Sequence, residues 1–363
     1  MSDKKIKALN NDVLKEEIFR LCSVFSVSGF EKRAERKIRE IYKDFDEISV
    51  DSIGSCTLVK RCGRKDAPKV LIDAHLDEVG MIVSDVLDGG FLRIVGIGGI
   101  DPAIMQAADV VVYAKEEMMG VVVSTPPHLR SSGGKNLTSI DELLIDVGQG
   151  YTKDELCELI PIGTPVGFAP YYSELTYPSI AGKSFDDKAC AAIALAAVLN
   201  TPAESLAADV YVSLSAREET ARDGGVQNVC FREDPDYAMV IDVNLGEAPD
   251  APNRETVPMG KGISISYSAA TDRELTKMTV SLCENKEIPF VKCAAPSSTG
   301  TNATTVNLTR LGVPVVDVGL PLRNMHTYNE IIRLDDCESL YLAVAGFICD
   351  RAIAERYGRE DTL

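Results

Sequence analysis

The chain has 363 residues, 45% of them hydrophobic, with a formal net charge of -17 and a pI near 4.7. That is a globular composition, long enough for two or three domains, and its acidity argues against a nucleic-acid or anionic-membrane surface, where a basic stripe is needed. No run approaches the apolar length of a membrane helix, and the opening Met1-Ser2-Asp3-Lys4-Lys5-Ile6-Lys7 lacks the apolar centre of a signal peptide. The ten cysteines are scattered singly and read as reduced thiols of a cytoplasmic protein.

Over residues 11–45 the apolar spacing predicts helix. Leu14, Ile18, Leu21 and Cys22 make one stripe, and a charged helix over 31–42 follows the Ser28-Gly29-Phe30 break. Strands are expected at 48–50 and 56–59. The next, Lys69-Val70-Leu71-Ile72-Asp73-Ala74, is a short apolar run bounded by Pro68, and it ends in His75 with Asp77 two residues on. From about Met81 to Tyr171, short β runs at 91–95, 109–113 and 120–123 are separated by glycine-rich turns, which predicts a small barrel or sandwich. Residues 131–136 read as an exposed loop within it. Alternation resumes near Pro178. Asp186 and Asp187 open an alanine-rich helix over 189–200, a strand at 210–215 ends in Arg217-Glu218-Glu219, residues 224–231 read as helix, and a strand at 238–241 ends at Asp242. A polar link over 247–258 leads to a helix at 274–285, a loop at 296–302 and a strand at 314–318. His326 lies just past that strand, and a closing helix covers 336–356. This alternation predicts an α/β fold, a mixed sheet sandwiched by helices, with an inserted small β-barrel domain. The expected division is a catalytic domain of residues 1–80 and 172–363 interrupted by residues 81–171.

The ends of these strands and the starts of these helices carry His75 and Asp77, Asp186 and Asp187, Glu218 and Glu219, Asp242, and His326. In an open α/β sheet, ligands collect at the carboxyl ends of the strands. Carboxylates crowded at one rim repel each other unless cations neutralise them. Imidazole mixed with carboxylate suits Zn, Co or Mn better than Ca or Mg. Five ligands, one of them a bridging carboxylate, can hold two divalent ions about 3.5–4 Å apart, the arrangement that clamps a hydrolytic water. Adjacent acids such as Glu218-Glu219 can then divide the labour: one ligates, and its neighbour acts as general base. Each feature taken singly also has a structural reading, as a strand cap or a solvated helix start. His128, in Pro126-Pro127-His128-Leu129, has no acidic neighbours and is expected to be structural or interfacial. There is no phosphate-binding loop, Gly96-Ile97-Gly98-Gly99 does not match a dinucleotide fingerprint, and no nucleophile elbow is present.

The motifs Ala74-His75-Leu76-Asp77-Glu78-Val79-Gly80, Pro126-Pro127-His128-Leu129, Phe185-Asp186-Asp187-Lys188, Glu218-Glu219, Ile241-Asp242-Val243 and Pro321-Leu322-Arg323-Asn324-Met325-His326-Thr327 occur in a telling order and spacing. Over nearly its whole length the chain resembles the tetrahedral aminopeptidases, family forty-two of the metallopeptidases, which includes glutamyl aminopeptidases and proteins labelled endoglucanase. The resemblance implies that His75 and Asp242 complete one metal site and Glu219 and His326 the other, or the reverse pairing, with Asp186 bridging. It implies Glu218 as general base and Asp77 as support for His75. It further implies two divalent ions (Zn, Co or Mn) per subunit, peptide substrates trimmed from the amino terminus, a barrel used for dimerisation, and homo-oligomers from a dimer to a hollow dodecamer.

Departures from the family pattern are Gly300-Thr301-Asn302-Ala303, where the third residue is usually aspartate, Thr220-Ala221-Arg222-Asp223-Gly224-Gly225 after the glutamate pair, Lys188 in place of arginine, and Tyr328 in place of proline. The expected activity is that of a cytoplasmic two-metal aminopeptidase with neither nucleic acid nor membrane as partner. The departures leave a metal-dependent deacylase or amidase, a glycan-directed hydrolase, or a catalytically silent assembly protein as alternatives.

Overall fold

A computed structural model describes residues 8–124, 139–221, 224–249, 251 and 256–358. His128 and the loop expected over 131–136 lie outside the described residues. The first helix, α1 (Asn11–Cys22), buries the predicted stripe of Leu14, Ile18, Leu21 and Cys22, and the Asn10 side chain caps it by accepting the Asp12 N–H. The charged segment after it is less helical than its spacing suggests: a 3-10 turn, Glu31–Ala34, precedes the short helix α2 (Glu35–Ile41). β1 (Glu47–Val50) and β2 (Cys56–Lys60) pair antiparallel, and β3 (Lys69–His75) follows.

Six strands then close into a barrel. They are β4 (Gly80–Leu87), β5 (Phe91–Ile97), β6 (Asp109–Tyr113), β7 (Glu117–Val123), β8 (Leu144–Asp146) and β9 (Pro165–Phe168), joined in the order β4-β5-β8-β7-β6-β9. Alternate residues such as Met81, Val83, Leu92, Ile94, Val110 and Val112 fill its interior. Two short helices, α3 (Pro102–Met105) and α4 (Lys153–Leu159), add Met105 and Leu156 to that core.

The remaining elements are β10 (Tyr172–Glu174), β11 (Ser179–Gly182), α5 (Phe185–Asn200), β12 (Asp209–Ser215), α6 (Val226–Glu233), β13 (Tyr237–Leu245), β14 (Ile263–Tyr267), α7 (Arg273–Asn285), β15 (Phe290–Ala294), α8 (Ala303–Leu308), β16 (Val315–Leu322), β17 (Glu330–Arg333), α9 (Leu334–Ile348) and α10 (Arg351–Tyr357). Eight strands form the main sheet in the order β1-β2-β12-β3-β13-β16-β14-β15. Its four central strands, β12, β3, β13 and β16, are mutually parallel. Strands buried on both faces read as continuous apolar runs. Along β3, Val70 and Ile72 face the core packed by α1, α5 and α9, while Leu71 faces the smaller core under α6 and α8. The alanine-rich α5 is apolar on every side and is accordingly buried nearly throughout. β10, β11 and β17 make a separate antiparallel sheet.

Several expected boundaries shift. β13 runs three residues past Asp242 to Leu245, and β16 extends to Leu322, because both pair with each other along their whole length. The closing helix is two helices, parted where Asp350 turns to cap α10 by accepting the Ile353 N–H.

Candidate active site

Because β12, β3, β13 and β16 are parallel, their carboxyl ends lie on one side of the sheet, where their chemistry collects. His75 ends β3. Glu218 and Glu219 follow β12, Asp242 lies near the end of β13, and His326 follows β16. Asp186 joins them from the first turn of α5, where it and Asp187 depart from helical geometry.

Asp186 stands between the two imidazoles. Its Oδ1 is 3.0 Å from Nε2 of His75, and its Oδ2 is 3.4 Å from Nε2 of His326. Donor atoms of His75, Asp186 and Asp242 lie within 4.8 Å of one another, and so do those of Asp186, Glu219 and His326. Glu219 Oε2 is 3.2 Å from His326 Nε2, while Glu218 Oε2 approaches His75 Nε2 only to 4.0 Å. Both imidazoles are oriented alike. Nδ1 of His75 donates to the Asp77 carbonyl at 3.0 Å, and Nδ1 of His326 donates to the Gly99 carbonyl at 3.1 Å. A carbonyl oxygen only accepts, so each Nδ1 carries a proton and Nε2 is the ring atom turned toward the cluster.

The carboxylate of Asp77 stands beside His75 and also serves the turn that carries the two glutamates. It lies 3.6 Å from His75 Nδ1, and its oxygens accept the backbone N–H groups of Glu218 at 3.0 Å and Glu219 at 3.2 Å. It therefore fixes the turn that presents both glutamates. Arg217, just before them, has φ 63°, and its N–H is held at 2.9 Å by the buried carboxylate of Glu31.

Burial and crowding set the charge balance. Burial, reinforced by Glu219, Asp77 and Asp186, pushes the Glu218 carboxyl up to about 7 against the pull of His75. Hydrogen bonds to Asp186 and Glu219 push His326 up to about 11. Burial alone would lower the His75 imidazole, but Asp186, Asp242 and Glu218 overcome it and hold it well above its ordinary value. Burial likewise raises Asp242 well above the carboxylate range, Asp187 adding to it. The cluster thus demands positive charge. Carboxylates of Asp186, Glu219 and Asp242 surround two imidazoles that are held in the charged form here, and once those Nε2 protons are displaced the set matches divalent transition metals in donor type. The side chain of His75 is 2% exposed and that of His326 30%, so the cluster opens on the His326 side.

Residues 54–341 match the sequence profile of the M42 glutamyl aminopeptidases. The chain belongs to that family. It is an aminopeptidase, a hydrolase of a metallopeptidase family that uses divalent metal. The lysyl aminopeptidase of Pyrococcus furiosus is 30% identical over 321 residues, covering 86% of this chain and 90% of that one. A TET aminopeptidase from a marine sediment Thaumarchaeota archaeon superposes with a TM-score of 0.85 at 27% identity, over 96% of this chain and 100% of that one. A Pyrococcus horikoshii TET1 peptidase that can assemble into a tetrahedron or a large octahedral shell gives 0.80 at 25% identity, over 92% and 99%.

Against the family pattern, Asn302 does not face the cluster. Its Nδ2 donates to Asp73 Oδ2 at 2.9 Å and to Ser215 Oγ at 3.0 Å, behind His75. Lys188 is fully buried, its Nζ 3.0 Å from Glu78 Oε1 and donating to the Val24 carbonyl at 2.7 Å, and Lys183 bonds the other oxygen of Glu78. Tyr328 packs on Phe168 of the barrel with ring centroids 5.9 Å apart. Arg222 and Asp223 lie outside the described residues.

Three contributors had no sequence signal. Gly99 acts through its backbone carbonyl, Glu31 through a carboxylate that accepts the Arg217 N–H, and Asp73 through a buried side-chain pair. Their chemistry is legible only after the chain has folded.

Proposed function

We propose that this aminopeptidase works with two divalent transition-metal ions, Zn, Co or Mn, bound by His75 and Asp242 on one side and by Glu219 and His326 on the other, with Asp186 bridging. The observation that carries this reading is the Asp186 carboxylate between the two Nε2 atoms, one oxygen directed at each. When bound, such ions polarise the scissile carbonyl and lower the pKa of the attacking water. Glu218, which belongs to neither donor set, takes the proton from that water and returns it to the leaving amine of the peptide. Burial raises its carboxyl to about 7 in the metal-free site. Asp77 holds Glu218 in place through the two backbone N–H groups it accepts. The opening beside His326 suits entry of a peptide's amino terminus.

Glu218→Gln should lower release of amino acids from aminoacyl anilides by about 10²–10⁴, while elemental analysis still finds two ions per subunit. Turnover at the wild-type rate would reject the assigned role. Chelation should abolish activity, and adding Zn, Co or Mn back should restore it. N-acyl amino acids and a β-glucan in the same panel separate peptidase from deacylase and glycan-directed chemistry.

Residues 81–171 are taken as an inserted dimerisation domain between the catalytic segments 1–80 and 172–363, and the chain as a homo-oligomer. The assembling Pyrococcus horikoshii relative supports the homo-oligomer, and native mass spectrometry tests it. A cytoplasmic location is supported by ten unpaired cysteines. No helix among the described residues is long and apolar enough to cross a membrane.

A further inference from the structure

β17 starts at Glu330, which pairs with Gly182 at the end of β11. Both strands lead directly into the site: Asp186 comes four residues after Gly182, and His326 four residues before Glu330. The two segments that carry these side chains therefore pass on either side of Glu330, which is 2% exposed. Its carboxylate divides between them. Oε2 accepts the Asp186 N–H at 3.0 Å, and Oε1 accepts the His326 N–H at 2.9 Å. His326 has φ 61°, a left-handed conformation that is strained for a residue other than glycine. Something must hold it there, because that conformation directs Nδ1 to the Gly99 carbonyl and Nε2 to the cluster.

We propose that Glu330 is a positioning residue: one carboxylate fixes the backbones of Asp186 and His326 relative to each other and so sets the affinity and geometry of the metal site on the His326 side. The inference rests on the two-metal reading above. Glu330 touches no donor atom of the cluster that its own bonds reveal; it works through two backbone amides. Glutamine in its place keeps the shape but sets an NH2 against one of the two N–H donors, so one segment loses its anchor.

The test uses full-length protein stripped of metal and titrated with Co(II), for wild type, Glu330→Gln and Glu330→Asp. Affinity is read by competition with a chelator, geometry by the visible absorption of the bound ion, and fold by far-UV circular dichroism. In E330Q the more weakly held ion should bind about 10–100-fold less tightly, with altered absorption and an unchanged dichroism spectrum. E330D keeps the charge but withdraws it by one methylene, and should weaken the same ion by a smaller factor. A merely structural role would lower stability without changing the spectrum of the bound ion. Two equivalents bound by E330Q at wild-type affinity with the wild-type spectrum overturn the inference; if E330Q does not fold, the same result in E330D does so. Wild-type protein that takes up no divalent ion removes the two-metal reading itself, and this inference with it.

Discussion

Replacing Asn302 with aspartate, the residue usual there in the family, should destabilise this chain, and the cost follows from what stands opposite. The Asn302 amide donates to Asp73 Oδ2 at 2.9 Å and to Ser215 Oγ at 3.0 Å. Asp73 is fully buried, and burial raises its carboxyl to about 6. At pH 8 it is therefore ionised, and the amide–carboxylate bond contributes about 1.5–3 kcal/mol. Aspartate at 302 removes the donor and puts a second carboxylate in its place, 2.9 Å from Oδ2. Two unit charges at that distance repel by about 6 kcal/mol at an effective dielectric near 20, so the pair takes up a proton at a smaller cost. The expected loss for N302D is about 3–5 kcal/mol at pH 8. The exchange D73N N302D again sets one amide against one carboxylate, and should recover all but about 1 kcal/mol. Urea unfolding at fixed protein concentration measures all members of the cycle. A single variant within about 1 kcal/mol of wild type, or a double variant as weak as the two single losses summed, would refute the claim that residue 302 is matched to residue 73.

Two further outcomes follow from close contacts. A Cβ on Gly99 would stand 3.0 Å from Nδ1 of His326, so Gly99→Ala must shift the imidazole by a few tenths of an ångström. Since a 1 Å misplacement can cost about 10²-fold, kcat should fall on the order of tenfold with an unchanged urea midpoint, and an unaltered kcat would show that the barrel loop does not position His326. Lys188→Met leaves the buried Glu78 with Lys183 as its remaining ammonium partner. The urea midpoint should drop by the equivalent of about 3–5 kcal/mol, and a loss under about 1 kcal/mol would mean that Lys183 alone suffices.

The α/β alternation and the barrel were both legible, because strands buried on two faces and strands of a small barrel leave different apolar patterns in the chain. The residues that cluster at the rim were legible for a related reason: a side chain at the carboxyl end of a parallel strand sits at the boundary of an apolar run, as His75 does after Leu71-Ile72-Asp73-Ala74. The two-sided burial of β14 was not legible. Ile263–Tyr267 alternates apolar residues with Ser264 and Ser266, the pattern of a strand with one wet face, yet the fold buries both serines. Nor was the extent of β13 legible beyond Asp242: Asn244 and Leu245 stay in the sheet only because β16 pairs with them residue by residue.

The supporting residues were hidden for a deeper reason than weak pattern. Three turns carry the site's side chains in left-handed backbone: Ser184 before Asp186, Arg217 before Glu218, and His326 itself. None of these positions is glycine, so nothing in the chain announces the conformation. Two of the three are secured by a buried carboxylate that accepts a backbone N–H, from Glu31 to Arg217 and from Glu330 to His326. At the third, the Ser184 hydroxyl donates to Glu78. Backbone amides are present at nearly every residue, and so the acid that needs one cannot be matched to it from spacing. The strained turns and the buried acids are two halves of one device: a left-handed residue swings a donor off the line of its strand, and the carboxylate stabilises the turn that does so. Donor identity is thus written in side chains, while donor aim depends on contacts that exist only in the folded protein.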